Sequence, residues 1–361
     1  MSEQKDRGAL AALEPLLADP EVVEILVDGP GRVYVEREGR LVDVPSPFRD
    51  EEHLMEVIQA ILAPLGQTAD ASTPLADARL PDGSRVNVVL PPISLLGPVL
   101  TIRKLGLPPL SAEDLIRFGA WSEEMLRFLT ACVQGRLNIM VAGGVGAGKT
   151  TVLNILASMI PGEERIITIE SAGELRGLEH LKRVVRMESR PPNAEGKGEV
   201  TLRDLVINSL RMRPDRILLG ECRGAEALHI LQAMNTGHDG TMLSIHANGP
   251  HDALARFETM ALMENPSIPL LTVRQQMASA IDLITYQERL HDGKRKVMKV
   301  TEVVGMRGDA IQLQDLFEYR QTGVVEGRIQ GTFAPTGHIP GFLEALRAQG
   351  IDLSASLFTP A

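Results

Sequence analysis

Aromatic residues make up only 3% of this 361-residue chain, with one Trp and three Tyr, so it has no set of ring faces on which single-stranded bases could stack. Basic charge is also in deficit. Lys and Arg number 37 against 47 Asp and Glu, a net charge of -10, which argues against a DNA motor held by a broad basic field. Cysteine is nearly absent. Cys132 and Cys222 lie far apart with no metal-ligand spacing, so a disulfide framework is excluded, and small buried thiols in a reducing compartment are expected. Long apolar runs are missing too. Glu14 and Pro15 interrupt the opening segment, which reads against a signal peptide. The uncharged stretch 88–102 contains Pro91, Pro92, Gly97 and Pro98 and is too short to cross about 30 Å of hydrocarbon as a helix. A soluble cytoplasmic protein is expected, with any membrane association made through a partner. No internal repeat and no low-complexity segment is found.

What the chain does have is a glycine-rich loop. Gly143-Gly144-Val145-Gly146-Ala147-Gly148-Lys149-Thr150-Thr151 matches G-x-x-x-x-G-K-[ST]. Its glycines let the backbone curl so that successive N–H groups point inward at a polyphosphate. Lys149 would then reach the β and γ oxygens, and Thr150 a Mg2+ ion. A glycine-rich turn that merely contains a lysine is the bland alternative, and context argues against it. The apolar run 137–142 reads as a buried strand before the loop, and 152–157 as a helix whose N-terminus faces the anion.

Around this loop the chain divides into an N-terminal mixed α/β module over 1–105, a linker over 106–120 marked by Pro108-Pro109, an α/β nucleotide domain over 121–305, and a C-terminal extension over 306–361. In the first module, 22–27 reads as a strand and 32–36 with 40–44 as a hairpin about Glu38-Gly39. Asp50 caps a helix whose Leu54, Ile58, Ile61, Leu62 and Leu65 share one face. Asp82-Gly83 marks a second hairpin.

In the second domain, strands are expected at 165–170, 184–187, 217–221 and 241–245. Helices are expected from Thr201 to Met212, to Asn235, over 250–260 and over 269–280. The stretch 190–198, RPPNAEGKG, reads as a mobile loop. Alternating strands and helices imply a mostly parallel sheet covered on both faces. Hairpins about Asp292-Gly293 and Gly308-Asp309 and a helix over 341–347 follow.

Hydrolysis of a bound nucleotide needs a metal, a group that orients water, and positive charge at the γ-phosphate. Glu221 ends an apolar strand in ILLGECRG, where an acid at a parallel strand's carboxyl end would face a ligand at the sheet edge; a solvated strand end is the alternative. Glu170 and Glu174 in TIESAGEL either help hold magnesium-bound water or cap the next segment. His238 and His246, beside Gly237 and Gly240, do not have zinc spacing. Their setting favours γ-phosphate sensing over metal binding.

Taken together, GGVGAGKTT, TIESAGEL, LRMRPDRILLGECRGAEAL, QAMNTGHDGTMLSIHAN and ARLPDGSRVNVVLPP resemble the secretion ATPase superfamily, closest to the CpaF/TadA-type ATPases of tight-adherence (Flp) pili. The resemblance implies a PAS-like N-terminal domain before a RecA-like P-loop ATPase domain. It also implies a homohexamer that binds ATP and Mg2+, docks on inner-membrane platform proteins and moves pilin. Lys149 and Thr150 match the Walker A pair, Glu170 and Glu174 the acidic box, and Glu221 the catalytic Walker B acid that also faces the metal. His238 and His246 match the His box. Arg85 and Arg103 match N-domain arginines that reach the nucleotide, and Arg211 an arginine after the mobile loop. Two positions depart from the pattern: Ser171 stands where the acidic box usually carries Asp, and Ile207 where the helix before Walker B usually carries Arg. A conjugation-type secretion ATPase and a weakly hydrolysing regulatory subunit are the competing readings.

Overall fold

The computed structural model describes residues 11–37, 39–104, 110–193 and 196–360. Backbone contacts divide the chain into two compact units, 1–108 and 109–361. Residues 106–109 of the expected linker, and Glu38 of the first hairpin turn, lie outside the described residues.

The first unit begins with a short helix, α1 (Glu14–Ala18), and is built on six antiparallel strands: β1 (Val22–Asp28), β2 (Val33–Arg37), β3 (Arg40–Val44), β4 (Leu75–Arg79), β5 (Arg85–Val89) and β6 (Val99–Arg103), in the order β3-β2-β1-β6-β5-β4. Alternation decides which face is covered. Ile25 and Val27, Val86 and Val88, and Leu100 and Ile102 are all buried on the side of helix α2 (Glu51–Leu62). Asp50 starts that helix, its carboxylate accepting the N–H of His53 at 2.8 Å, and Glu51 and Glu52 complement the first turn. Leu54, Val57, Ile58 and Ile61 then seal the sheet, and truncating Leu54 to Ala would cost about 2–5 kcal/mol. Leu65 departs from expectation: it falls on the 3-10 turn after the helix and is 46% exposed.

The second unit opens with α3 (Ala112–Arg117), which Ser111 and Asp114 close with a reciprocal capping box, and α4 (Glu123–Gln134). Leu115 and Ala120 enter the core of this unit, so residues 111–120 are part of it rather than linker. The strand–helix series continues with β7 (Ile139–Gly143), α5 (Lys149–Ser158), β8 (Arg165–Glu170), β9 (Arg183–Glu188), α6 (Leu202–Ser209), β10 (Arg216–Cys222), α7 (Glu226–Asn235), β11 (Met242–His246), α8 (Pro250–Glu264), α9 (Leu270–Ala280) and β12 (Leu283–Arg289). The three strands β13 (Arg295–Arg307), β14 (Ala310–Val325) and β15 (Arg328–Pro335), and a final helix α10 (Leu343–Ala348), complete it.

These form one nine-stranded sheet, β15-β14-β13-β12-β7-β11-β10-β8-β9, parallel from β12 to β9 and antiparallel beyond β12. β7 is buried on both faces, which is why it reads as an unbroken apolar run. Ile139 and Val141 join the core under α4 and α5, whereas Met140 and Ala142 join the core under α6 to α9. The sparse aromatics are concentrated on the first of these faces, where Phe128 packs against Phe317, Phe342 and Phe358 and fixes the C-terminal segment to α4.

One local expectation is corrected and two details are added. Helix α6 begins with the expected Thr201–Asp204 capping box but ends at Ser209, short of Met212, and Arg213 then adopts a left-handed conformation (φ 54°). Stretch 190–198 is tied at its base by paired backbone bonds between Arg190 and Val200. A third hairpin joins β14 to β15 through Glu326-Gly327, with no counterpart in the sequence reading.

Candidate nucleotide site

β7 delivers Gly143 to the carboxyl edge of the sheet, in register with Gln287 of β12 on one side and His246 of β11 on the other. The fit is tight enough that a Cβ at Gly143 would stand 2.6 Å from the backbone oxygen of Gln287, so no larger residue enters without moving backbone. Five residues on, Gly148 turns the chain into α5 with φ 91°, and this glycine N-cap leaves the first turn of the helix without a side-chain cap. The N–H groups at the start of α5 are therefore available to an anion. Lys149 is buried beneath the loop, its Nζ donating to the carbonyl of Gly144 at 3.0 Å.

The carboxyl ends of three parallel strands converge here. Lys149 Nζ lies 3.2 Å from Nδ1 of His246 and 3.5 Å from its Nε2. The Nε2 in turn lies 2.6 Å from Oε1 of Glu221 on β10. On its other oxygen, Glu221 accepts from Nε of Arg223 at 2.6 Å. The ammonium offers only donors and the carboxylate only acceptors. The ammonium beside the imidazole disfavours a protonated ring, and Oε1 of Glu221, although close to Nε2, makes no hydrogen bond of its own. Burial and the neighbouring Lys149 charge both hold the His246 pKa below its ordinary value, Glu221 opposing them.

A second group flanks the helix start. Thr150 Oγ1 is 3.4 Å from Oε2 of Glu174. Glu174 is presented there by Glu170, whose Oε1 accepts the backbone N–H groups of both Glu174 and Leu175 at 2.7 Å. Glu170 is 3% exposed, and its desolvation raises its pKa in spite of those two bonds. Gly220 leaves it room, since a Cβ there would stand 3.0 Å from Glu170 Cγ. Glu170 is thus a loop-holding residue, and Glu174 is the acid at the loop.

The residues suit Mg2+ bound chiefly through phosphate oxygens. No group of three or more His, Cys, Asp or Glu side chains among the described residues could hold a metal by itself, while a hydroxyl and a carboxylate stand together beside the phosphate loop. Of the two acids, Glu174 stands beside Thr150, while Glu221, expected to face the metal, lies next to His246 and Arg223.

Other expected residues lie elsewhere. His238 precedes the amino end of β11 and His246 closes its carboxyl end, so the strand sets them at opposite edges of the sheet; His238 bonds through its N–H and Nδ1 to the carbonyl of Ala233 in the last turn of α7. Arg211 is exposed between α6 and the amino end of β10, bonded to Asn208. Arg85 and Arg103 stand opposite each other on β5 and β6 of the first unit. Ser171 directly follows β8, and Ile207 is half-buried on α6. Cys132 and Cys222 are both buried, and burial pushes their thiols well above the ordinary range.

Three arginines escaped sequence reasoning. Arg223 grips Glu221, and Arg289 and Arg295, paired at the mouth of the β12–β13 hairpin, approach the loop at Gly146 and Gly148. The GECRG stretch held the signal for Arg223, only two residues beyond Glu221. The other two lie more than a hundred residues from the loop, where no spacing rule reaches.

The model of the family described as type II/IV secretion system protein matches residues 5–329. A putative conjugal transfer protein of Mycobacterium tuberculosis is 32% identical over 340 residues, covering 88% of this chain and 95% of that protein. Type IV secretion system protein PtlH of Bordetella pertussis is 35% identical over 308 residues, covering 78% of this chain and 89% of its own. Among solved structures, the ATPase DotB of Legionella pneumophila superposes with a TM-score of 0.57 at 20% identity, covering 79% of this chain and 77% of that one, a likeness of fold.

Proposed function

The chain belongs to the type II/IV secretion system protein family, as a P-loop ATPase with a RecA-like domain behind a smaller N-terminal domain, and from this we propose that it is the motor that couples ATP hydrolysis to assembly of a tight-adherence-type pilus. The observation that carries the reading is the run of contacts from Lys149 through His246 to Glu221 at the mouth of the phosphate loop. In it a phosphate-binding cation, an imidazole and a carboxylate stand next to one another.

The roles follow from that geometry. The loop's N–H groups and Lys149 bind the β and γ phosphates, and the ammonium leaves His246 for phosphate oxygen when ATP enters. His246, freed at Nδ1, is placed to report the γ-phosphate to Glu221. Glu221 orients the attacking water and takes its proton, which requires that it exchange the Arg223 contact for the water. Thr150 and Glu174 hold Mg2+, which supplies charge neutralisation to the phosphates. Glu170 keeps Glu174 in place. His238, Arg211, Arg85 and Arg103 are assigned to contacts completed in an assembled homohexamer, with Arg85 and Arg103 acting from the N-terminal unit. Among the described residues no helix is long and apolar enough to cross a membrane, so inner-membrane platform proteins supply the anchorage in this reading.

A conjugation-type secretion ATPase is the second reading, favoured by the name of the Mycobacterium relative, a putative conjugal transfer protein. Magnesium-dependent ATPase assays on the purified chain, with Glu221→Gln as the inactive control, test the enzyme. Analytical ultracentrifugation with and without a non-hydrolysable ATP analogue tests the hexamer, and a monomer under every condition would sink it. Deleting the gene and scoring surface pili against DNA or toxin transfer separates the two machines.

A further inference from the structure

We propose that Arg295, with Arg289 beside it, is a positioning residue that grips the phosphate loop from outside and holds it open for nucleotide before nucleotide arrives. A loop that cradles an anion turns successive N–H groups inward, which leaves some of its carbonyls on the outside. The carbonyl of Gly146, at the loop's left-handed bend (φ 68°), accepts a hydrogen bond from Nε of Arg295 at 2.8 Å. The stem of the same arginine lies against Gly148, with its Cδ 3.4 Å from where a Cβ would stand, and Nη1 of Arg289 is 3.7 Å from the equivalent point at Gly146. One hairpin thus touches the two glycines of the loop that adopt positive φ.

The hairpin is a fixed reference rather than a loose arm. β12 runs beside β7 with Gln287 opposite Gly143, so the strand that carries Arg289 is registered to the strand that feeds the loop. Arg289 and Arg295 are themselves a cross-strand pair. The turn between them is closed by backbone bonds linking Leu290 with Lys294 and Gly293, and Asp292 accepts the N–H of Ile329 at 3.0 Å, tying it to β15. A guanidinium anchored in this way orients one outward carbonyl, and through it the peptide plane that sets the neighbouring inward N–H groups. Two guanidinium groups at the rim also raise the local affinity for an anion.

The inference rests on the reading of 143–151 as a nucleotide site, and the experiment separates the two. Binding of a fluorescent ADP analogue is titrated into wild type, Arg295→Gln, Arg295→Lys and, as a remote control, Arg320→Gln, whose side chain is exposed on β14 against Glu318. Hydrogen exchange of residues 144–148 is followed without nucleotide. Arg295→Gln is expected to bind about tenfold more weakly, equivalent to roughly 1.4 kcal/mol, with kcat at saturating ATP unchanged. Arg295→Lys recovers part of the affinity, because an ammonium can still donate to Gly146. Exchange in Arg295→Gln accelerates at 144–148 and not elsewhere in the second unit. Wild-type affinity in Arg295→Gln overturns the proposal, as does a fall in kcat with affinity intact or exchange that quickens throughout the unit. Failure of the wild type itself to bind the analogue overturns instead the nucleotide reading on which it stands.

Discussion

Lys149 opens helix α5 and His246 closes strand β11, 97 residues later, yet the lysine ammonium rests 3.2 Å from the imidazole Nδ1. That contact requires a neutral ring, and the site enforces one by burial and by the lysine charge. Because the folded pKa lies below the unfolded value of about 6.5, the unfolded chain binds the extra proton more readily. The stabilising contribution is therefore complete above about pH 6.5 and is lost as pH falls through the depressed folded value. NMR titration of His246 should give a midpoint below 6.5, and His246→Gln should flatten the acid limb of nucleotide affinity. A midpoint at or above that of free histidine would contradict the assignment.

Lys149→Ala should weaken ATP binding at least tenfold, because it removes the cation seated beneath the loop in contact with Gly144. Glu221→Gln should bind ATP as well as wild type while turnover drops by roughly 10²–10⁴. Equilibrium binding set against steady-state hydrolysis distinguishes the two. Undiminished hydrolysis in Glu221→Gln would remove it from the catalytic role.

Glu170 yields the opposite pattern from an ordinary catalytic acid. Its raised pKa means that the folded chain favours the protonated form, so its charge costs stability as pH rises above the carboxylate range. One oxygen accepts both backbone N–H groups, and the amide oxygen of Gln can do the same. Glu170→Gln should keep or raise the melting temperature. Glu170→Ala should lose about 2–4 kcal/mol by leaving two buried donors unmet. Thermal melts at neutral pH decide it, and equal losses in both variants would show that the charge itself is needed.

Ser171→Asp combined with Ile207→Arg restores two charges that the family pattern carries and this chain lacks. The double variant should hydrolyse ATP about tenfold faster, a barrier change of roughly 1.4 kcal/mol, at similar nucleotide affinity. No gain in rate would mean that these side chains do not act on the bound nucleotide.

Much of this architecture is legible from sequence, because buried parallel strands are continuous apolar runs and caps such as Asp50 and Thr201 leave local signatures. The loop and Glu221 are found the same way, since a glycine motif and a strand-terminal acid are short-range features. What is lost is whatever depends on which strand ends share an edge. His238 and His246 read as a pair in sequence, yet β11 between them rises about 3.3 Å per residue and carries them apart. Glu170 and Glu174 read as equivalent acids, yet one is turned inward to hold the backbone of the other. The β14–β15 turn escaped although its Glu326-Gly327 is the same dipeptide that reads as a turn at Glu38-Gly39; Glu326 takes φ 50°. Arg295 was invisible because its partner is a backbone oxygen, which no side-chain motif encodes.

The strand that feeds the phosphate loop also sets an order of events during synthesis. Ile139 of β7 pairs with Met242 on one side and Leu283 on the other, roughly a hundred and roughly a hundred and forty residues later, so closing these pairings carries a large loop-closure cost. A nascent chain that has passed the glycine motif therefore still lacks both walls of its cradle. It gains them only when β12 has left the ribosome, so nucleotide can begin to stabilise the second unit only once most of it has been made.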